Sequence, residues 1–285
     1  MNAKGLREPA PLLECAALFP PLHERLIALL ASLDAVGWER PTVAGAWRVR
    51  DVAAHLLDGQ LRKLSFHRDG LTPPAPSQPL DGYTGLVEYL NRLNRDWVDV
   101  ATRFSPRVLL DLLRHSGAEV AAFVATLDPF AEALFPVAWA GEERSRVWMD
   151  TAREYTEHWH HQQQIRLAVG APLLEEERFL RPLLHVSVRA LPRSYAAVDA
   201  ADGTSVALDI TGGAGGAWTL RRETGRWRLY EGRADGAAAA VRMDEGFAWR
   251  LFFKAIPEAE RRSGLSFTGD PALAGPMAET LAVMA

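Results

Sequence analysis

With 285 residues, the chain is long for one domain and comfortable for two, with ample length for a buried core. Its 48% hydrophobic and 24% charged content is that of an ordinary globular protein and excludes a disordered or fibrous one. A net charge of −4 and a pI near 6.1, with arginines scattered rather than in blocks, give no electrostatic reason to bind nucleic acid or an anionic membrane.

The opening apolar run PLLECAALFPPL (11–22) is interrupted by Glu14 and closed by two prolines, so it makes a poor signal peptide. No stretch approaches the ~20 uninterrupted apolar residues of a membrane helix. The single cysteine, Cys15, excludes an internal disulfide framework and any Cys-rich zinc module. These features predict a soluble, cytoplasmic protein.

Up to about residue 197 the chain reads as helices. The first is predicted over PPLHERLIALLASLDAVG (20–37), with Pro20–Pro21 at its start and Gly37 as its stop. VRDVAAHLLDGQLRKLSFHRDG (49–70) is the second, followed by a proline-rich connection without regular structure, LTPPAPSQPLDGYTG (71–85). LVEYLNRLNRDWVDVATRF (86–104) is a third helix. Another follows in SPRVLLDLLRHSGAEVAAFVATLD (105–128), with Ser105 as cap and Pro106 at the first helical position. A further helix is expected from Ser145 to Val169, closed by Gly170 and Pro172. The period then changes. TSVALDIT, AWTLRR, RWRLYEG and AAAVRM are short, partly alternating runs separated by turns. GFAWRLFFKAI (246–256) and the tail DPALAGPMAETLAVMA (270–285) look helical. Strands and helices without βαβ alternation predict an α+β fold. The join lies between about 172 and 200, and FLRPLLHVSVRAL (179–191) suits either half.

The chemistry concentrates in EYTEHWHHQQQIR (154–166), which holds three of the eight histidines. At about 100° per residue, taking Glu154 as zero, His158 lies about 40° to one side. His161 and Glu157 lie about 20° and 60° to the other. One face therefore carries Glu154, Glu157, His158 and His161 as two overlapping E-x-x-x-H pairs, while Trp159 and His160 point elsewhere. At i, i+4 two side chains stand one above the other and can close on one cation, as in H-E-x-x-H zinc helices. The same pairs also occur on wet helices, where they are worth only tenths of a kcal/mol. A site needs a third ligand.

Among the other histidines, His55 stands inside the second helix among Val52, Ala53, Ala54, Leu56 and Leu57, sharing a face with Gly59 and Arg62. Such a residue fits a core histidine with one hydrogen-bond partner as well as a ligand. His23 and His67 sit beside charges near helix ends and read as surface residues. His115, in LLRHSG, reads as a helix C-terminus, where an imidazolium would complement the dipole.

VAGAWRVRDVAAHLLD (43–58) and TEHWHHQQQIRLAVGAP (156–172) together resemble the two signature segments of the mycothiol-dependent maleylpyruvate isomerase family. That family belongs to the DinB/YfiT-like metal-binding four-helix bundles. The matching residues are Trp47, Val49, Asp51 and His55, then Glu157, His161, Ile165, Arg166, Ala168, Gly170 and Pro172. The resemblance selects Glu157/His161 over Glu154/His158 and implies His55, Glu157 and His161 as ligands of a divalent metal, zinc by preference. His158 becomes a near neighbour. The C-terminal segment is similar to a sterol-carrier-like domain through a diffuse G-D-x-x-x-A element. The implied organisation is a DinB-like bundle over residues 1–180 and a small α+β, sterol-carrier-like domain over 181–285. Two positions depart from the pattern: Gln164 stands where many relatives carry Asp, and Arg48 where a Ser or Thr cap is usual. No motif places a substrate-binding arginine in the second half. Arg221, Arg222, Arg226 and Arg228 are candidates, and a charged strand edge explains them equally well.

Two imidazoles and one carboxylate leave a divalent ion with positive charge and open positions, suited to lowering the pKa of a thiol. The resemblance thus implies a low-molecular-weight thiol, mycothiol or similar, as cosubstrate, and an electrophilic small molecule as substrate. The activity would be isomerase or S-transferase. Glu154, His158 and Arg62 are the candidate catalytic residues. Two other readings stay open: a metal-stabilised scaffold whose second domain binds apolar ligands, and a hydrolase in which the ion activates water.

Overall fold

The structure, a computed structural model, describes residues 5–76 and 79–284. They form two compact units. One takes in residues 13–135 and 146–174, the other residues 5–12, 136–145 and 175–283.

The first unit is helical. Its elements are α1 (Cys15–Ala31), the single turn α2 (Ala35–Trp38), α3 (Val49–Arg62), α4 (Gly82–Ala101), α5 (Pro106–Val124) and α6 (Val147–Val169). Helix α3 runs on into a π-helical turn, Lys63–Arg68. α1, α3, α5 and α6 form the bundle, and α4 packs on α3. Leu26 and Leu30 of α1, Val52, Leu56 and Leu57 of α3, Leu109 and Leu113 of α5, and Ile165 of α6 share one core. Burying each such side chain is worth about 1.5–3 kcal/mol.

Several boundaries differ from expectation, each for a local reason. α1 begins five residues before Pro20, so both prolines lie inside it. They forfeit bonds to the carbonyls of Ala16 and Ala17, close to the helix start, while Cys15, Phe19 and Leu22 are buried. The helix ends well before Gly37 because Asp34 opens a new turn, accepting from the Gly37 N–H at 2.7 Å. α4 begins at Gly82, so the last residues of the expected connection are helical. Ser77 and Gln78 of that connection lie outside the described residues. α5 starts as predicted, with Ser105 Oγ accepting from the Val108 N–H.

Three histidine readings are corrected by the helix packing. α5 continues past Ser116–Gly117 to Val124, so His115 is exposed at mid-helix and not at a C-terminus. Position 117 is glycine inside the helix, because the His23 ring of α1 lies where a side chain would be. His23 is therefore an interior residue whose ring nitrogens are both buried, and burial lowers its pKa. His67, on the π-helical turn, lies edge-on to Phe135 with its Nδ1 4.0 Å from Asp150, and burial lowers its pKa as well.

The second unit holds α7 (Glu177–Ser187), α8 (Leu191–Ser194), β1 (Ser205–Thr211), β2 (Gly216–Glu223), β3 (Arg226–Glu231), β4 (Ala239–Asp244), α9 (Glu245–Phe252), β5 (Ser266–Gly269) and α10 (Pro271–Ala274). The ambiguous segment 179–191 thus belongs with the sheet. The strand order is β3-β2-β1-β4-β5, with β1 parallel to β4 and every other pair antiparallel. β2 and β3 are joined by the two-residue turn Thr224–Gly225, both at positive φ, the geometry that a twisted hairpin requires. Arg221 and Arg228 pair with Glu223, and Arg222 lies over Trp227. β5 was not anticipated: four exposed residues carry too short a pattern to read. The tail is helical only over Pro271–Ala274 and then tightens into a 3₁₀ turn, Gly275–Glu279, because Pro276 has no N–H to continue an α-helix. Ala285 lies outside the described residues. No helix among those described is long and apolar enough to cross a membrane.

Gly117→Ala is expected to cost about 1–3 kcal/mol in denaturant unfolding through overpacking against His23. The same substitution in a His23→Ala background should cost less than half as much.

Candidate metal centre

α3 and α6 run antiparallel, and two side-chain contacts join them: His55 to His161 at one end, Lys63 to Asp150 at the other. Val52, Ala53, Ala54, Leu56 and Leu57 anchor α3 in the core and leave the His55 ring half-buried toward α6. There it stands edge-on to His161, ring centroids 4.7 Å apart at 75°. Trp47 lies against His55, its ring centroid 5.1 Å away. A tight turn presents that indole: Thr42 donates to the Trp47 carbonyl from its N–H (2.9 Å) and its hydroxyl (2.8 Å), and Gly45 supplies φ +64°. Asp51 replaces the missing cap, accepting from the Arg48 N–H at 2.9 Å. Arg48 therefore leaves the start of α3 satisfied from the third helical position.

On α6, Gln164 Oε1 can only accept, so the 2.8 Å contact to His161 Nδ1 puts the proton on that nitrogen. His161 Nε2 then faces Glu157 Oε2 at 3.4 Å. One donor atom each from His55, Glu157 and His161 lies within 4.8 Å of the other two. A cation with bonds of about 2.0–2.2 Å closes such a gap with small side-chain rotations.

The protonation chemistry fits as well. Burial, reinforced by the neighbouring His161, pushes His55 well below its ordinary pKa, toward the neutral imidazole that ligates metals. Its Nδ1 is buried without a hydrogen-bond partner among the described residues. Burial opposes ionisation of Glu157, but its contact with His161 and the adjacent imidazoles outweigh it and hold the carboxyl below its usual range. Two imidazoles and one carboxylate form a hard-to-borderline donor set for a divalent ion.

The other predicted site residues lie apart from this trio. His158 turns toward α1, its ring centroid 5.4 Å from that of Phe19, and burial pushes its pKa to about 4. Glu154 accepts from Arg153 Nη2 at 2.6 Å, which holds it ionised despite burial. Arg62 pairs with Asp58 at 3.1 Å, one turn back on α3. His160, expected to point elsewhere, lies with its ring centroid 3.9 Å from that of His161 and bonds back to the Thr156 carbonyl at 2.8 Å.

The sequence reading missed a buried ion-pair chain beside these residues. Lys63 Nζ donates to Asp150 Oδ2 at 2.6 Å, with both side chains 3% exposed or less. Arg153 bridges Asp150 Oδ1 (2.7 Å) and Glu154. Burial works against the Asp150 charge, and Arg153 and Lys63 overcome it, so its carboxyl stays below its usual range. The signal was present: Asp150 stands four residues before Glu154, extending the polar row on the face of α6 that carries Glu157 and His161.

A helical bundle here brings two histidines and a glutamate from two helices to one point, a group that could hold a metal ion. Residues 19–166, over half of the sequence, match the mycothiol maleylpyruvate isomerase N-terminal domain, and the chain belongs to that family. The crystal structure of the mycothiol-dependent maleylpyruvate isomerase is similar at a TM-score of 0.52 and 15% identity, over 91% of this chain and 93% of that one. That of a histidine-to-alanine variant of the enzyme gives 0.53 and 14% over the same shares. At these identities the likeness speaks to the fold. No curated protein matches the chain.

Gln164→Ala is expected to weaken metal affinity about 10–100-fold in competition with a chelator, because it frees the His161 ring; Gln164→Glu should retain it. Asp150→Ala, which strands the Lys63 and Arg153 charges, should cost about 3–5 kcal/mol in equilibrium unfolding. Asp150→Leu combined with Lys63→Met should cost less than Asp150→Ala alone.

Proposed function

We propose that this protein is a thiol-dependent isomerase or S-transferase that uses a divalent cation, zinc by donor preference, held by His55, Glu157 and His161. The observation that carries the reading is the meeting of these three side chains from α3 and α6 within one span of 4.8 Å, inside the segment that matches the family. A divalent ion in that position lowers the pKa of a thiol and keeps it as thiolate at neutral pH.

The chain's own residues supply the rest. Glu157 contributes the one formal negative charge of the donor set. Gln164 fixes the tautomer of His161, and Trp47 covers the flank of His55. The nucleophile comes from outside, because Cys15 is buried in the first turn of α1. Mycothiol, named for the family, is the proposed cosubstrate.

A thiolate adding to an activated cis double bond converts it to a single bond free to rotate. Expulsion of the same thiolate then returns the trans isomer and leaves the thiol unconsumed. Where the adduct is retained, the outcome is S-transfer. Maleylpyruvate, the substrate in the related enzyme's name, represents the substrate class. A cytoplasmic setting suits the reaction, since thiols stay reduced there.

The test is turnover of maleylpyruvate, and thiol loss to a simple electrophile, by protein loaded with zinc, with and without mycothiol. Activity should require both metal and thiol. His55→Ala should lose bound metal and at least 10²-fold in kcat/KM. Thiol-independent turnover, or full activity in the metal-free protein, would overturn the reading.

A further inference from the structure

The second unit carries a concave surface of its own. α10 and the 3₁₀ turn that follows it line a cleft of about 520 Å³ with Pro271, Ala272, Gly275, Pro276 and Glu279. Ser194 of α8 and Arg262, four residues before β5, complete the lining. Two contacts hold this frame. The buried Tyr195 donates its hydroxyl to the Leu273 carbonyl at 2.7 Å, fixing α8 to α10. Arg261, its side chain 18% exposed, donates to Glu279 at 2.9 Å and fixes the segment before β5 to the 3₁₀ turn.

Charge and space both single out Arg262. Acidic residues outnumber basic ones in this chain, and guanidinium groups of this unit sit on carboxylates: Arg7 on Glu231, Arg181 on Glu177, Arg233 on Asp209 and Arg261 on Glu279. Arg262 lines a cleft instead, with no hydrogen-bond or ion-pair partner among the described residues. Its guanidinium lies over Gly275: a Cβ built there meets only Arg262 Nη2 within 4 Å, at 3.8 Å. Gly275 has an ordinary helical φ of −54°, so the backbone does not require glycine. A larger residue would fill the space beside the guanidinium.

The lining decides the ligand. A guanidinium presents paired N–H donors that match a carboxylate. Pro271, Ala272 and Pro276 offer an apolar bed that a bare inorganic anion would leave unused. Glu279 also lines the cleft, and its carboxylate disfavours a ligand with several negative charges. The Ser194 hydroxyl donates to the Ala190 carbonyl at 3.2 Å and keeps its lone pairs free to accept one polar group.

We propose that this cleft binds a small organic acid with a single carboxylate on Arg262 and a flat apolar body against Pro271 and Pro276. The site draws on no residue of the helical unit and is independent of the function proposed above.

The test is calorimetry of the full-length protein with 1-naphthoate as probe. Two comparison ligands, 1-naphthylmethanol with the same rings but no charge and inorganic phosphate with charge but no body, should each bind at least about tenfold more weakly. Arg262→Ala should weaken naphthoate binding about 10–100-fold, with Tm within about 2 °C of wild type because the side chain has no hydrogen bond or ion pair to lose. Gly275→Leu should block the probe, whereas Arg226→Ala, on the β2–β3 hairpin, should not. Metal-free and zinc-loaded protein should bind it equally. If Arg262→Ala keeps wild-type affinity, if the alcohol or phosphate binds as tightly as naphthoate, or if no binding is detected at about 5 mM, the proposal is wrong. It is equally wrong if removing the metal abolishes binding, which would assign the probe to the histidine-lined centre.

Discussion

An imidazole serves as a ligand only when it is neutral and its lone pair is aimed, and the antiparallel crossing of α3 on α6 secures both conditions. Burial between two helices makes the charged form of His55 costly, so the ring stays neutral. The apolar residues around it fix the rotation of α3 and hence the direction in which the ring projects. On α6 the aim is set by Gln164, whose amide oxygen accepts from the Nδ1–H of His161 and leaves Nε2 toward Glu157. The same crossing continues into the Lys63–Asp150–Arg153–Glu154 chain, so the interface is polar along its length and apolar at its margins. Such an interface is poor at holding two helices together by hydrophobic burial. The ion pairs offset part of that loss and specify register, since a slip of one turn would separate Lys63 from Asp150 and strand both charges.

Much of the motif that carries the family resemblance is structural. Ile165 lies in the bundle core. Arg166 holds the end of α6 by donating to the Pro172 carbonyl at 2.7 Å and to Gln162 Oε1. Gly170 turns left-handed at φ +70°, and the Ala171 N–H reaches back to the Arg166 carbonyl at 2.9 Å, closing the helix. Asp51 caps α3, and Val49 is fully buried. Trp47 and Ala168 pack against the same core, whereas His55, Glu157 and His161 bring their donor atoms together. The other residues fix where α3 starts and α6 stops. The G-D-x-x-x-A element near the C-terminus reads the same way: Gly269 ends β5 at positive φ and Asp270 accepts from the Ala272 N–H at 2.8 Å, so the pattern marks a turn and a cap.

These origins explain what was legible in the sequence. The long helices carry helical periodicity and four of the strands a partial alternation, and their existence could be read from these patterns. Their ends could not, because helix ends respond to rules that compete locally. Pro20 and Pro21 read as a start, yet a helix tolerates them a turn inside when Phe19 and Leu22 have a core to enter. Ser116–Gly117 read as a stop, yet the gap there is filled by His23 from another helix. The site was half legible. Helical spacing offered two E-x-x-x-H registers on one face of α6 and could not choose between them. The choice depends on where α3 lies, and no local pattern encodes that.

Charge along the α3–α6 seam decides how the two ends divide their work. At the Lys63 end every cation has a carboxylate at hydrogen-bond distance, so that end is electrostatically closed and has little to gain from a ligand. At the His55 end the donor atoms converge, and the buried Nδ1 of His55 has no hydrogen-bond partner among the described residues. Buried polar groups left in that condition cost about 1–3 kcal/mol each, and a fold tolerates them where binding restores the loss. The α3–α6 seam therefore carries an ion-paired strut at one end and a converging set of donor atoms at the other.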